Sequence, residues 1–176
     1  MSGHNKWSKI KNQKAVTDAR KSKIFTKMVR LLTVEAKKSK GNLSSPGLKT
    51  VIEKAKSFNV PNDTIDRAIK KASTDNSAAM DAVTYEAYGP GGVAIIIDAL
   101  TDNRNKAAGE VKHILSEHGS ELAAIGSAAW AFTKTHEGWV PNMTVPLSDE
   151  DYVKLESLVD ELEDNDEVQE VYTNAE

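Results

Sequence analysis

The sequence predicts an α+β protein: an N-terminal three-helix bundle, then a ferredoxin-like β-α-β-β-α-β domain preceded by an extra hairpin strand. Three observations carry this. Apolar residues recur at helical spacing from about residue 18 to 75, strands alternate with helices beyond residue 82, and charge reverses sign in the same region. Residues 1–80 hold 18 Lys and Arg against 6 Asp and Glu, whereas residues 81–176 hold 5 against 20, so the net charge of −3 conceals two opposed halves. The expected organisation is a basic arm and helical domain over 1–75, a linker over 76–82 and an acidic ferredoxin-like α/β domain over 83–176.

Within the basic half, residues 1–17 carry Lys6, Lys9, Lys11 and Lys14 around Trp7 with almost no periodic apolar residues, the pattern of a basic arm. From Asp18 to Lys38, Ile24, Phe25, Met28, Val29, Leu31, Leu32 and Ala36 share one helical face, and Arg20, Lys23, Lys27, Arg30 and Lys37 fall opposite. Gly41 ends this helix, Pro46 opens the next behind Ser45 as cap, and Leu48, Val51, Ile52, Ala55 and Phe58 are its expected buried face. Asn62 or Asp63 is expected to cap a third helix that buries Ile65, Ala68, Ile69 and Ala72. The Ala/Ser-rich stretch from Ala72 to Asp81 reads as the domain boundary.

In the acidic half, Val83, Tyr85 and Tyr88 form a first strand, Gly89-Pro90-Gly91-Gly92 a turn, and VAIIIDAL a buried strand. Asp102 or Asn103 starts a helix that buries Ala107, Val111, Ile114 and Leu115 and stops at Gly119. Ala128 to Lys134 and Trp139 to Leu147 are expected strands around the turn His136-Glu137-Gly138. Ser148 caps the next helix, whose inner face is Tyr152, Leu155, Leu158, Val159 and Leu162, and Val168 to Thr173 closes the sheet. In this expectation two helices cover one face of a single antiparallel sheet, and the acidic run from Asp149 to Glu170 is a solvated outer face.

Composition removes whole classes of chemistry. With no cysteine there is no disulfide, thiolate metal site, iron–sulfur cluster or thiol nucleophile. The apolar run Val93 to Ile97 is far short of the ~20 residues of a membrane span, and the N-terminus lacks the apolar core of a signal peptide, so a cytoplasmic location with no membrane partner is expected. No catalytic constellation has the right spacing. Gly89-Pro90-Gly91-Gly92 is neither a dinucleotide fingerprint nor a P-loop, and Ser127 in GSAAW lacks the second glycine of a nucleophile elbow. His113 and His118, five apart, diverge on a helix instead of sharing a metal-binding face. No catalytic residue, metal or cofactor is therefore assigned, and the oligomeric state stays open.

What the sequence does offer is a polyanion-binding surface. Residues 6–38 hold eleven Lys and Arg against only Asp18 and Glu35, a density that costs repulsion unless solvent or an anion compensates it. The candidate nucleic-acid contacts are Lys6, Lys9, Lys11, Lys14, Arg20, Lys23, Lys27 and Arg30, with Trp7 available to stack on a base. A second candidate, for a phosphate, a carboxylate or a partner, is the loop Asn103, Arg104 and Asn105 at a helix start. The target is open between DNA and structured RNA, because a lysine stripe reads charge and no helix carries Asn, Gln and Arg at base-reading positions. A protein-interaction module, its acidic domain docking a basic partner, is the competing class.

These segments resemble the YebC/PmpR family, bacterial proteins related to the mitochondrial translational activator of cytochrome c oxidase. The opening Ser2-Gly3-His4-Asn5-Lys6-Trp7 is similar to the family's start, with Asn5 where Ser is usual, and KIFTKMVRLL, IEKAKSFNVPNDTIDRAIKKA, YEAYGPGG, TDNRNK, GSAAWAF and LEDNDEVQEVYTN are similar to its later signatures. The resemblance implies a non-enzymatic regulator of gene expression, described for the family either as a DNA-binding transcriptional regulator or as a ribosome-associated translation factor. Two departures stand out. Phe132 and Trp139 are separated by six residues where the family inserts a small domain, and Ser45-Pro46-Gly47-Leu48-Lys49 replaces an Asn-Pro-Arg-Leu-Arg-like element. The second departure removes a bidentate arginine contact with phosphate.

Overall fold

The computed structural model describes residues 18–76 and 79–176, and the chain divides into two compact units, with Asp81 ending one and Ala82 beginning the other. The helical unit contains α1 (Asp18–Lys38), α2 (Pro46–Ser57) and α3 (Asn62–Thr74). Their apolar stripes converge on Leu32, Ala36, Leu48 and Ala55, which are fully buried, with Met28, Ile65, Ile69 and Ala72 around them. Pro46 supplies the first-turn residue of α2, but Ser45 at the N-cap makes no side-chain capping bond, and Pro61, not Asn62 or Asp63, holds the N-cap of α3.

Phe58 also departs from expectation. It is 42% exposed, because α2 closes one residue earlier in a Schellman turn: Asn59 takes a left-handed φ of 61°, and the Val60 and Asn59 N–H groups donate to Ala55 and Lys56 carbonyls. The turn swings Val60 into the core in place of the phenylalanine ring.

The second unit runs β1 (Asp81–Tyr88), β2 (Ala94–Thr101), α4 (Arg104–Glu117), β3 (Glu121–Leu122), β4 (Phe132–Thr135), β5 (Gly138–Pro141), α5 (Asp149–Asp164) and β6 (Val168–Thr173). The α+β class, with a helical start and a β-α-β unit behind it, is as expected. The allocation of strands differs. The main sheet has the order β3-β1-β2-β6, and β4 and β5 pair only with each other. The two-residue β3, invisible to any periodicity argument, holds the edge beside Ala87 and Tyr88.

The reason lies in β2. Ile95 and Ile97 point to one side, into a core with Val111 and Leu115 of α4 and Leu155, Leu158 and Leu162 of α5. Ala94 and Ile96 point to the other, where Ala128, Ala131, Phe132, Trp139 and Tyr172 pack on them. A strand apolar at successive positions needs cover on both faces. The β4–β5 hairpin supplies the second cover, so it lies across the sheet instead of extending it. At its turn Gly138 has φ +126°, and a Cβ there would meet the Tyr172 hydroxyl at 2.5 Å and its ring at 2.9 Å. Burial, then the Glu170 charge, which accepts the Tyr172 O–H at 2.9 Å, raises that phenol well above its usual range.

Candidate nucleic-acid interface

Lys6, Trp7, Lys9, Lys11 and Lys14 lie outside the described residues. The stripe on α1, expected to contact nucleic acid, is described, and it is partly covered. Arg20, Lys23, Lys27 and Arg30 are half-buried, and the line Lys23, Lys27, Arg30 continues one turn on into Val34, which is 5% exposed. Lys37 pairs with Asp75 of α3 at 3.6 Å, tying the ends of α1 and α3, and Lys38 pairs with Glu35 at 3.0 Å. Glu35 in turn sits against the start of α2, its carboxylate in the space a Cβ at Gly47 would need, 2.6 Å away. The arginine of the family's element is thus replaced by the one residue that leaves this space, and a carboxylate occupies the positive end of α2.

The exposed cations of the helical unit lie elsewhere. They are Lys21 and Lys38 on α1, Lys40 in the α1–α2 turn, Lys49 and Lys56 on α2, and Arg67, Lys70 and Lys71 on α3. Sequence periodicity named the α1 stripe because that helix is longest. It does not report which of its two flanks tertiary packing covers.

In the acidic unit, Asn103 is the cap of α4: its side-chain oxygen accepts the Lys106 N–H at 3.1 Å, while its own N–H donates to the Thr101 hydroxyl at 2.9 Å. Arg104 and Asn105 are exposed. Carboxylates border this loop. The Lys106 ammonium pairs with Glu167 at 3.1 Å and Glu110 at 3.8 Å, and hydrogen bonding to Glu167, then its charge, raises the Lys106 pKa. Asn165 bridges the two acids, donating to Glu110 at 2.9 Å while its carbonyl accepts the Glu167 N–H at 2.9 Å. Glu167, 4% exposed, is therefore an exception to the solvated acidic face expected from Asp149 to Glu170. Beside this loop the Lys106 charge is thus balanced by two carboxylates, while Arg104 remains its exposed cation.

The strongest local construction was missed by sequence reasoning. Glu86 on β1 is buried, and its carboxylate accepts backbone N–H groups from Gly126 at 2.7 Å, Ala128 at 3.0 Å and Ala129 at 2.6 Å. Burial pushes the carboxyl upward, but the N–H donors of Gly126, Ala129 and Ala128 together outweigh it and hold the group below the usual range. Two segments quoted above, YEAYGPGG and GSAAWAF, are therefore two sides of one clamp. Over it, Tyr88 donates its hydroxyl to the Ser127 carbonyl, and Trp130 Nε1 donates to Ser127 O at 2.8 Å and Tyr88 Oη at 3.1 Å. Ser127, which GSAAW offered as a nucleophile, is structural: its hydroxyl donates to Ala124 O at 2.7 Å. His118 caps the end of α4 and meets Glu161 at 2.6 Å, away from His113, which pairs with Glu117 on its own helix. Among the described residues no three His, Asp or Glu side chains are grouped to hold a metal ion, and no helix is long and apolar enough to cross a membrane.

Fold and surface together define a class: a small two-unit α+β protein with a cation-rich helical module joined to an acidic α/β module. The comparisons place it more closely. Residues 5–75 match the TACO1/YebC protein N-terminal domain, and residues 80–137 and 133–175 match the TACO1/YebC second and third domain, so the chain belongs to the TACO1/YebC family. A relative from Finegoldia magna, called "Probable transcriptional regulatory protein", is 53% identical over 136 residues, 76% of this chain and 56% of the relative, so the match spans little more than half that relative's length. A Thermoanaerobacter pseudethanolicus protein of the same description is 36% identical over 239 aligned positions, covering 100% of this chain and 97% of its own. The solved structure of a conserved hypothetical protein from Aquifex aeolicus superposes with a TM-score of 0.84 at 29% identity, covering 98% of this chain and 97% of that one. The chain, at 176 residues, is a shortened form lacking an inserted domain. Its two matches to the second-and-third-domain model meet at residues 133–137, in the β4–β5 hairpin.

Proposed function

We propose that the chain is a non-enzymatic, nucleic-acid-binding regulator of gene expression, acting as a DNA-binding transcriptional regulator; its relatives carry the name "Probable transcriptional regulatory protein". The observation that carries this is the segregation of charge: 18 cations against 6 carboxylates before residue 81, with cations exposed on all three helices of the unit. Such a surface binds phosphates by releasing condensed counterions, and the acidic unit weakens indiscriminate attachment to polyanions. Contacts by Lys6, Lys9, Lys11, Lys14, Arg20, Lys23, Lys27 and Arg30 belong to this proposal, as does stacking by Trp7.

One observation favours structured RNA instead, which would make the protein a ribosome-associated translation factor. Of the exposed cations on α2 and α3, Lys49, Lys56, Lys70 and Lys71 are point charges and only Arg67 offers a planar fork, so the surface reads backbone and shape before bases. Crosslinking in cells, with identification of the bound nucleic acid, separates the two. Promoter DNA supports transcription, and ribosomal or transfer RNA that survives DNase supports translation. With about five phosphates contacted on duplex DNA, log K against log salt falls with a slope of roughly −4 to −5. A flat dependence with both DNA and RNA overturns the proposal and leaves the protein-interaction module.

A further inference from the structure

We infer that the principal phosphate contact of the helical unit is a corner built by Lys40 of the α1–α2 turn with Arg67, Lys70 and Lys71 of α3, rather than the α1 stripe. This rests on the nucleic-acid reading above and locates it. The first observation is placement. Lys37 bridges to Asp75, and a Cβ on Gly41 would lie 3.0 Å from the Ser73 Cβ, so the turn at residues 39–42 sits on the last turn of α3. Lys70 is three residues before Ser73 and Arg67 three before Lys70, so the three occupy one ridge that runs into the turn.

The second observation is charge. Lys40, Arg67, Lys70 and Lys71 are all exposed, and among the described residues no carboxylate lies within ion-pair distance of any of them. Arg67 spends one N–H on the Asp63 carbonyl at 3.2 Å and keeps the rest of its fork. Of the nearby acids, Glu35 pairs with Lys38 and Asp75 with Lys37, while Asp63 and Asp66, one turn before Arg67 and Lys70, are exposed and form no ion pair with them. The α1 stripe, by contrast, is half-buried.

The third observation is backbone conformation. Three helices end in the same Schellman turn, in which the left-handed residue is Asn59 after α2 and Gly119 after α4, the two types that conformation favours. After α1 it is Lys40, at φ 52°, with Gly41 N–H donating to Ala36 O at 2.8 Å. A lysine is strained there, and the next residue, Gly41, does not relieve it. The left-handed φ sets the direction of the Lys40 Cα–Cβ bond, on a turn that lies against the last turn of α3. The ligand is the phosphodiester backbone of a nucleic acid, recognised by charge without base contacts.

The test uses the full chain, a fluorescent DNA duplex and a structured RNA hairpin, each titrated across a salt series. Lys40→Asn is the informative variant, because Asn accepts the left-handed conformation. It raises the melting temperature by about 2–4 °C and at the same time makes the salt slope shallower by roughly 0.7–0.9. A residue with only a structural role would not move the two readouts in opposite senses. Lys40→Asn with Arg67→Gln and Lys70→Gln makes the slope shallower by roughly 2–3 and weakens binding at least tenfold at physiological salt. Lys23→Gln, Lys27→Gln and Arg30→Gln together change it less. If the first triple variant, still folded, binds like the wild type, or if the α1 variant loses more, the corner is refuted and the nucleic-acid reading survives. If the wild type binds neither probe, both fall.

Discussion

Replacing Glu86 with Gln keeps the shape of a buried side chain while removing its charge and one of its two acceptors. In the native clamp one carboxylate oxygen serves Gly126 and the other serves both Ala128 and Ala129. The glutamine carbonyl takes the Ala128 and Ala129 pair, and its NH₂ is then turned against the Gly126 N–H, leaving one buried donor without an acceptor. That costs about 1–3 kcal/mol, and the weakening of the two surviving bonds from charge-assisted to neutral adds about 1 kcal/mol, so a loss of roughly 2–4 kcal/mol is expected. Urea denaturation at neutral pH, followed by tryptophan fluorescence, measures it.

The pH dependence supplies a second arm. The folded carboxyl titrates below the reference 4.5, so its contribution is fully present above that value and is lost as pH falls through the lower folded value. The gap between wild type and Glu86→Gln is therefore constant above about pH 4.5 and narrows below it. A neutral-pH difference under about 0.5 kcal/mol, or a gap that widens on acidification, would refute the clamp as the source of this stability.

Two further outcomes follow from named contacts. Gly138→Ala puts a methyl group into the Tyr172 ring at a φ no L residue adopts comfortably, and costs about 3 kcal/mol; a loss under about 1 kcal/mol in the same denaturation assay would show the hairpin turn to be loosely held. Asn103→Ala removes the α4 cap and lowers stability by about 1 kcal/mol with nucleic-acid affinity unchanged, and a loss of affinity at unaltered stability would restore the loop as an anion site.

The helices were legible because their signals are local. The helix Asp18–Lys38 coincides with its expected span, as does the strand Val168–Thr173, and Ser148 caps α5 by accepting the Asp151 N–H, as the Ser-Asp-Glu-Asp run implies. The charge division needed only counting. What stayed hidden depends on contacts across long stretches of chain. Glu86 looks like an outward residue of an alternating strand, and its partners are backbone groups some 40 positions away that carry no side-chain signature. Phe58 and Val60 exchanged roles through a single left-handed residue, Asn59, whose conformation no hydrophobic pattern encodes. The β4 and β5 strands were recognised as extended, but extended segments do not announce which sheet they join. The apolar continuity of Val93 to Ile97 was the one clue that the sheet has two covered faces.

The separateness of the β4–β5 pair bears on how this lineage tolerates changes of length. Its register, Phe132 to Pro141 and Thr135 to Gly138, is closed within the hairpin, and no rung of the β3-β1-β2-β6 ladder depends on the chain between Thr135 and Gly138. Material spliced in or out at that tip therefore leaves every hydrogen bond of the main sheet in place. The hairpin is a stem, and evolution can bud a domain from it or prune one back to a two-residue turn without refolding the trunk.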